Sequence, residues 1–156
     1  MIDQLNETHD SSRRSWVPTA QSHPIFPLQN LPLGIFSPPG GGPRGGVAIG
    51  DEIFDLQGAL EAGLFSGLAE QAARAAAGAI LNPLMALGSA PRVALRKRLC
   101  ALLAEDSTER AQAQKLATKL LHKAAECELS ANTFPTATST WCATWGGTRT
   151  PCVNMT

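Results

Sequence analysis

A proline- and glycine-rich loop between apolar runs limits what this chain can fold into. Residues 38–46 read Pro-Pro-Gly-Gly-Gly-Pro-Arg-Gly-Gly, which continues neither a helix nor a sheet. The apolar run 33–36 before the loop is typical of a short buried strand. After the loop, residues 47–49 and 53–56 predict two strands, joined by a hairpin turn at residues 50–52, where small and acidic residues favour a turn. The sequence therefore predicts a small β-module.

The strand residues supply the predicted core of this module: Leu33, Ile35, Phe36, Val47, Ile49, Ile53 and Leu56. We expect Trp16 to plug an edge of the module, with ligand stacking as the alternative. The glycine-rich loop does not predict a phosphate site. It leads into a strand rather than a helix, and it lacks the Gly-Lys-Ser or Gly-Lys-Thr sequence of such sites. We interpret it as a flexible connection.

After residue 56 the pattern changes to that of helices. A short helix is predicted at 57–62, and an alanine-rich helix at 66–81. A single turn at 84–87 follows Asn82-Pro83. The next helix, 91–104 with Ser89 as its N-cap, carries an apolar stripe of Val93, Leu95, Leu99, Leu102 and Leu103. The final helix is predicted to begin after a cap at Ser107 or Thr108 and to run to residue 128, with Leu116, Leu120 and Leu121 facing inward.

Charge and hydropathy exclude two classes of partner. The 156 residues contain 13 Lys and Arg and 13 Asp and Glu, so the formal net charge is zero. A neutral chain argues against nucleic acid or an anionic membrane as the main partner. The basic run 92–98 is interpreted as a solvated helix face, with an anion-binding or nucleic-acid-binding patch as the alternative. No run is apolar and long enough to span a bilayer. Residues 1–14 are polar, lack the hydrophobic centre of a secretory signal and are predicted to be disordered, so we expect a cytoplasmic protein.

Three blocks of the sequence carry a resemblance to a known family. They are Ser15-Trp16-Val17-Pro18, residues 26–37 and residues 46–56. In this order and spacing they resemble the N-terminal domain of the fumarylacetoacetases, and the resemblance extends more weakly to residue 128. It implies an α+β domain over residues 15–129. An SH3-like β-barrel at 16–56 would be followed by helices at 57–128 packed outside it.

The resemblance also implies a reaction and a partner. Fumarylacetoacetases are homodimeric hydrolases that use calcium or magnesium. They split 4-fumarylacetoacetate into fumarate and acetoacetate in tyrosine and phenylalanine catabolism. Their catalytic domain begins with Gly-Asp-Tyr-Thr-Asp-Phe and His-Ala-Thr segments, which provide a metal-binding Asp and a general-base His. Residues 130–156 match neither segment, since no Asp follows Asp106 and no His follows His122.

We therefore assign no catalytic, cofactor-binding or metal-binding residue. The chain is expected to be an N-terminal fragment without activity of its own, and the sequence leaves open whether it should be called an enzyme. The alternative is a non-catalytic interaction module that docks on the catalytic domain or on a full-length homologue.

The residues that could carry chemistry all have simpler interpretations. Asp51, Glu52 and Asp55 are predicted to form a solvated hairpin tip, with Asp55 pointing out of its strand, rather than a calcium or magnesium site. His9, His23 and His122 are interpreted as surface residues. No carboxylate or second His is expected to share the helix face of His122 closely enough to suggest a metal. Cys100 and Cys127 are predicted to lie in helices as packed hydrophobic residues. A disulfide between Cys142 and Cys152 is the alternative to free thiols, and a reducing cytosol disfavours it.

Residues 130–156 differ from the rest of the chain. They are rich in Thr and contain no acidic residue to pair with Arg149. Trp141 and Trp145 are spaced like residues on one helix face, but Gly146 and Gly147 disfavour a helix there. We expect this tail to be unstructured or only loosely docked, with its indole rings an aggregation hazard.

Overall fold

Five short strands form one antiparallel sheet in the computed structural model, which describes residues 7–21 and 23–129. The strands are β1 (Leu33–Ser37), β2 (Arg44–Ile49), β3 (Glu52–Asp55), β4 (Leu121–Lys123) and β5 (Glu128–Leu129). Their order across the sheet is β4-β3-β2-β1-β5. The first three strands confirm the strands that the sequence predicts around the glycine-rich loop.

Consecutive strands β4 and β5 lie at opposite edges of this sheet, and this arrangement requires the sheet to curl. In a flat sheet the outer strands would be about 19 Å apart, since neighbouring strands are separated by about 4.8 Å. The link from Lys123 to Glu128 contains a turn of 3₁₀-helix, Ala124–Glu126, and is therefore far from extended. Such a link cannot span a flat sheet, so the described residues form a curled antiparallel half-barrel.

The described residues contain six α-helices, of which α1, α2 and α6 pack on the sheet: α1 (Leu56–Glu61), α2 (Gly67–Ala76), α3 (Asn82–Ala86), α4 (Ser89–Leu103), α5 (Arg110–Lys115) and α6 (Ala117–Leu120). The longest of them, α4, confirms the helix predicted from the apolar stripe. Four of the five stripe residues are buried: Leu95, Leu99, Leu102 and Leu103. Val93 is 37% exposed, so its predicted place in the core is wrong. None of the described helices is both long and apolar enough to cross a membrane.

The core of the half-barrel contains six of the seven predicted residues as buried side chains: Ile35, Phe36, Val47, Ile49, Ile53 and Leu56. Leu33 is half-buried and packs against them. The segment before β1 also contributes buried side chains that were not predicted, namely Val17, Phe26, Leu28 and Leu31. Trp16 is anchored at the end of α4, where its indole Nε1 donates to the carbonyl of Leu102 at 2.8 Å, and it packs against the core.

The prediction of a final helix to residue 128 is wrong beyond Leu120. Residues 121–123 instead pair with β3, placing His122 opposite Ile53. Residues 128–129 pair with β1, where Leu129 lies opposite Phe36. The open edges of β1 and β3 offer backbone hydrogen bonds to this segment, and such partners do not show in a local periodicity. The boundary at Leu56 also differs, since this residue begins α1 instead of ending β3.

The prediction of disorder for residues 1–14 is wrong over residues 7–14. Glu7–His9 form a turn of 3₁₀-helix in which Thr8 is buried. Arg96 on α4 donates from Nε to Thr8 Oγ1 at 2.9 Å, and Arg13 pairs with Asp106 at 3.1 Å. These side-chain contacts hold a segment that has few apolar residues of its own.

The same contacts correct the interpretation of the basic run 92–98 as a solvated face. Arg96 also donates to the carbonyl of Gln29. Arg98 donates to the carbonyl of Leu64 and pairs with the carboxylate of Glu109. Lys97 pairs with Glu7 at 3.4 Å, so three of the four basic side chains join α4 to neighbouring segments. The predictions for residues 130–156, including Cys142, Cys152 and the two tryptophans, lie outside the described residues.

Two glycines of the predicted flexible connection lie inside strand β2 and allow close packing. A Cβ on Gly45 would come within 1.6 Å of the carbonyl oxygen of Ala76, at the end of α2. The amide of Gly45 donates to the carbonyl of Ala77 at 3.2 Å. A Cβ on Gly46 would come within 2.6 Å of the Ile53 side chain and of the Phe36 ring. These positions are therefore packing contacts rather than flexible loop residues.

We expect Gly45→Ala to lower the free energy of unfolding by about 2 kcal/mol or more, because α2 must move away from β2 to make room for the methyl group. Urea denaturation measures this loss. Gly42→Ala is the matched control, since no heavy atom lies within 4 Å of its Cβ position. Equal stability of the two variants would contradict the packing argument.

Candidate functional site

The most buried charged side chain in the described residues is Asp55, which ends β3 and caps α1. Its side chain is 3% exposed. Oδ1 accepts hydrogen bonds from the backbone amides of Gln57 at 3.0 Å and Gly58 at 3.2 Å. An aspartate at this position satisfies amides that have no partner within the helix, and its charge is favourable at a helix N-terminus.

The other carboxylate oxygen of Asp55 joins two further strands. Arg44, the first residue of β2, donates from Nη1 to Oδ2 at 3.1 Å. His122, in the middle of β4, lies with Nε2 at 3.2 Å from the same oxygen. The imidazole of His122 also packs at 5.6 Å from the ring of Phe36. We call Asp55, Arg44 and His122 the strand clamp, because each belongs to a different strand.

The strand clamp satisfies its buried charge within the protein. A carboxylate offers about four lone-pair positions, and Asp55 uses them for two amides, a guanidinium and an imidazole. Burial of a carboxylate is costly unless opposite charge and hydrogen bonds compensate for the lost water. Protein groups thus occupy all four positions, and the geometry is that of a structural link between strands.

This arrangement corrects two predictions. Asp55 does not point into solvent, and His122 is not a surface histidine without a carboxylate nearby. The two residues are 67 positions apart and meet because β4 pairs with β3. The prediction of a helix at residues 121–123 placed His122 on a helix instead of on β4. Its contact with Asp55 on β3 could therefore not be predicted.

The other acids of the hairpin do not converge on Asp55. Asp51 is exposed and lies with Oδ1 at 3.4 Å from Nε2 of His23. Burial, together with the neighbouring negative charge of Asp51, raises the pKa of Glu52. The part of the chain that the structure describes contains no group of three His, Cys, Asp or Glu side chains that could hold a metal ion. These acids therefore do not fit a calcium or magnesium site, which needs several converging oxygens.

His23 has a structural role instead of the predicted surface position. Its side chain is 14% exposed. Nδ1 accepts hydrogen bonds from the backbone amides of Ile25 at 3.2 Å and Phe26 at 2.9 Å. Because Nδ1 is the acceptor, the neutral ring carries its proton on Nε2, directed at Asp51. His9 lies in the 3₁₀ turn near the start of the described residues.

The two described cysteines are not placed as nucleophiles. Cys100 is buried in the core as predicted, and burial raises the pKa of its thiol. Cys127 is half-buried and follows the 3₁₀ turn between β4 and β5, rather than lying in a helix. Burial and then the negative charge of Glu126 raise the pKa of this thiol too. A raised pKa keeps a thiol protonated and unreactive at neutral pH.

A shallow surface pocket of about 270 Å³ lies where the N-terminal segment meets the end of α4. It is lined by Ser12, Arg13, Arg14, Glu105 and Asp106. The hydrogen bond from Arg13 holds the pKa of Asp106 below its ordinary value of 3.8. Sequence analysis missed this pocket because residues 7–14 were expected to be disordered. The lining contains both signs of charge and no Cys or His nucleophile.

Comparison with known proteins identifies relatives over most of the described residues. Residues 29–131 match the family described as fumarylacetoacetase N-terminal. A fumarylacetoacetase from Arabidopsis thaliana is 35% identical over 105 residues, which cover 67% of this chain and 25% of the relative. One from Oryza sativa subsp. japonica is 47% identical over 68 residues, 40% of this chain and 15% of the relative. One from Bos taurus is 56% identical over 43 residues, 27% of this chain and 10% of the relative. The matched part of the chain thus spans a quarter or less of each of these relatives.

We expect Asp55→Ala to lower the free energy of unfolding by about 3 kcal/mol, because the change removes a helix cap and leaves Arg44 without its buried partner. Asp51→Ala is the control, since its side chain is 73% exposed and should matter little. Chemical denaturation of both variants makes the comparison. A small loss in Asp55→Ala would show that the strand clamp does not hold the sheet.

The Arg13–Asp106 pair should respond to acid. The folded-state pKa of Asp106 is lowered, so the pair stabilises the fold above the unfolded pKa of about 3.9, and this contribution is lost as the pH falls through the lowered value. An NMR titration of the carboxyl carbons should show Asp106 returning toward 3.8 in Arg13→Ala. Arg14→Ala, in the same pocket, should leave the titration of Asp106 unchanged. An unshifted Asp106 in the wild-type chain would contradict the role given to Arg13.

Proposed function

The chain belongs to the fumarylacetoacetase N-terminal family, and on that premise we propose that it is the N-terminal module of a fumarylacetoacetase-type hydrolase. The whole protein would split 4-fumarylacetoacetate into fumarate and acetoacetate in tyrosine and phenylalanine catabolism. The match over residues 29–131 supports the family, and three fumarylacetoacetases among the relatives support the reaction. A cytoplasmic location and a homodimeric parent enzyme are part of the same proposal.

We propose further that the curled half-barrel is of the SH3-like type. Its short antiparallel strands and strong curl support this classification, as does the covering of helices that follows β3 in the chain. In such small barrels the strands supply a rigid support, while any chemistry depends on residues attached to it.

The role we assign to this module is support rather than catalysis. Cleavage of a carbon–carbon bond by water needs a base that can take a proton, and in this family a divalent cation would polarise the diketone. The single observation that carries the assignment is the strand clamp, in which the buried carboxylate of Asp55 is fully hydrogen-bonded by Arg44, His122 and α1. The catalytic groups would then lie in the remaining part of a fumarylacetoacetase, outside the matched region.

A second candidate function is an interaction module that docks on a full-length homologue without being joined to it. The exposed apolar side chains of the helical part favour this candidate: Leu68, Ile80, Met85 and Val93. A homologue carries its own N-terminal module at a high effective concentration, so a separate copy would have to displace it. We therefore prefer the first candidate function, in which the module belongs to the same chain as the domain that it contacts.

Two assays test the proposed function. The purified chain should not hydrolyse 4-fumarylacetoacetate under conditions in which the Arabidopsis fumarylacetoacetase does. A chimera that carries residues 29–131 in place of the matching segment of the Arabidopsis protein should fold and hydrolyse the substrate, because the module supplies only support. If the purified chain hydrolyses the substrate and Asp55→Ala abolishes this hydrolysis, the assigned supporting role is contradicted. An inactive chimera would contradict the proposed function itself.

A further inference from the structure

Residues 7–13 pack against α4 although they contain no apolar side chain. Their sequence is Glu-Thr-His-Asp-Ser-Ser-Arg, so the burial of apolar side chains, which holds most folded segments, contributes little to their position. Thr8 is nevertheless only 3% exposed. The segment precedes residue 29, where the match to the family begins. We call residues 7–13 the strap.

Two cations of α4 hold the start of the strap. Arg96 donates from Nε to Thr8 Oγ1 at 2.9 Å. Lys97 lies with Nζ at 3.4 Å from a carboxylate oxygen of Glu7, and the two side chains are 49% and 64% exposed. An ion pair that is this exposed contributes little to stability, and dissolved salt weakens it further by screening the charges.

An amide and a carboxylate from outside the strap hold its end. Gln29 donates from Nε2 to the backbone carbonyls of Asp10 at 2.6 Å and Arg13 at 2.8 Å. The guanidinium of Arg13 pairs with Asp106, whose side chain is 62% exposed. In the described residues, the backbone amides of Asp10 and Arg13 donate to carbonyls within the strap itself. The strap is therefore docked through side chains.

The mode of attachment changes at Arg14, where backbone contacts with the end of α4 begin. The amide of Glu105 donates to the carbonyl of Arg14 at 2.8 Å, and the amide of Trp16 donates to the carbonyl of Leu103 at 3.1 Å. Ser15 is buried, and its Oγ donates to the same Leu103 carbonyl at 2.7 Å. The chain is thus fixed to the core from Arg14 onward, and Arg14 is the point at which the strap can swing away.

We propose that the strap is a detachable element, which raised ionic strength releases from α4 while the half-barrel and the helices stay folded. Docking orders these residues at a cost in conformational entropy, and the ion pairs that offset this cost are screened by salt. The core is held by apolar burial, which salt does not screen. Because the strap precedes the matched region, its release is independent of the proposed function.

Release changes the surface of the protein at two places. The pocket at the end of α4 loses Ser12 and Arg13 from its lining, since both belong to the strap. Lys97 loses its carboxylate partner, and Arg96 loses one of its two acceptors. The docked strap therefore covers part of the basic run 92–98, and the released strap leaves these cations open to anions from solution.

Trypsin measures the release, because it cleaves after Arg13 and Arg14 only where the chain can extend into its active site. When opening and closing are faster than cleavage, the rate follows the population of the open state. The full chain is digested at about 0.05 M and about 1 M NaCl, between which the screening length falls from over 10 Å to about 3 Å. A synthetic peptide of residues 7–20 gives the effect of salt on the protease. Mass spectrometry follows the N-terminal fragment.

We expect cleavage of the strap, relative to the peptide, to rise about tenfold between the two salt concentrations. Cleavage after Arg44 reports opening of the core, because this residue begins β2 and pairs with the buried Asp55. Its rate should not rise with salt. An equal rise after Arg44 would show that the whole domain opens and would refute a detachable strap.

Glu7→Gln removes the charge that pairs with Lys97 and nearly preserves the shape of the side chain. At about 0.05 M NaCl its strap should be cleaved about threefold faster than that of the wild type, and at about 1 M the two rates should converge. Glu61→Gln is the matched control, since Glu61 of α1 pairs with Lys119 of α6 at 3.6 Å and both side chains are 56% exposed. This variant should be cleaved at the wild-type rate.

Three other results would overturn the proposal. If salt changes cleavage of the chain and of the peptide equally, ionic strength does not release the strap. If the strap is cleaved as fast as the peptide even at low salt, it is not docked in solution. If Glu61→Gln speeds cleavage as much as Glu7→Gln does, the contacts between the strap and α4 are not what holds it.

Discussion

The fold of this chain depends on one buried carboxylate, that of Asp55. Its two oxygens hold the start of α1 and link β2, β3 and β4 through Arg44 and His122. A charge in such a position must be satisfied by the protein, because water is excluded. The imidazole of His122 meets this need when β4 pairs with the edge of β3. The short link between β4 and β5, which lie at opposite edges, then requires the sheet to curl. The same hydrogen bonds give Asp55 the structural role that we propose for it.

Two further sets of contacts hold the helices in place. At Gly45 the backbone of α2 approaches β2 so closely that no Cβ fits between them. Arg96 and Arg98 of α4 donate to the backbone carbonyls of Gln29, before β1, and of Leu64, between α1 and α2. A helix surface that carries this many cations would ordinarily be solvated. Here three of them, Arg96, Lys97 and Arg98, contact groups of neighbouring segments.

The sequence was sufficient to predict those elements whose structure depends on residues nearby in the chain. Strands β1, β2 and β3 follow from apolar runs separated by glycine and proline, and α4 follows from its apolar stripe. Sequence reasoning failed for residues 121–129. The spacing of Leu116, Leu120 and Leu121 predicts a continuing helix, whereas this segment pairs with the edges of β3 and β1. It failed for residues 7–14 because their order depends on Arg96 and Asp106. The pocket beside Asp106 could not be anticipated for the same reason.

By itself, the sequence determined strands β1 to β3 of the half-barrel and the family to which the chain belongs. Only the tertiary structure decided how Asp55 and His122 meet across 67 positions, and how Arg96 and Thr8 meet across 88. The physical reason is that helix and turn preferences act over a few residues. Burial of a charge or pairing of a strand edge depends on whatever residues the fold brings near, at any separation along the chain.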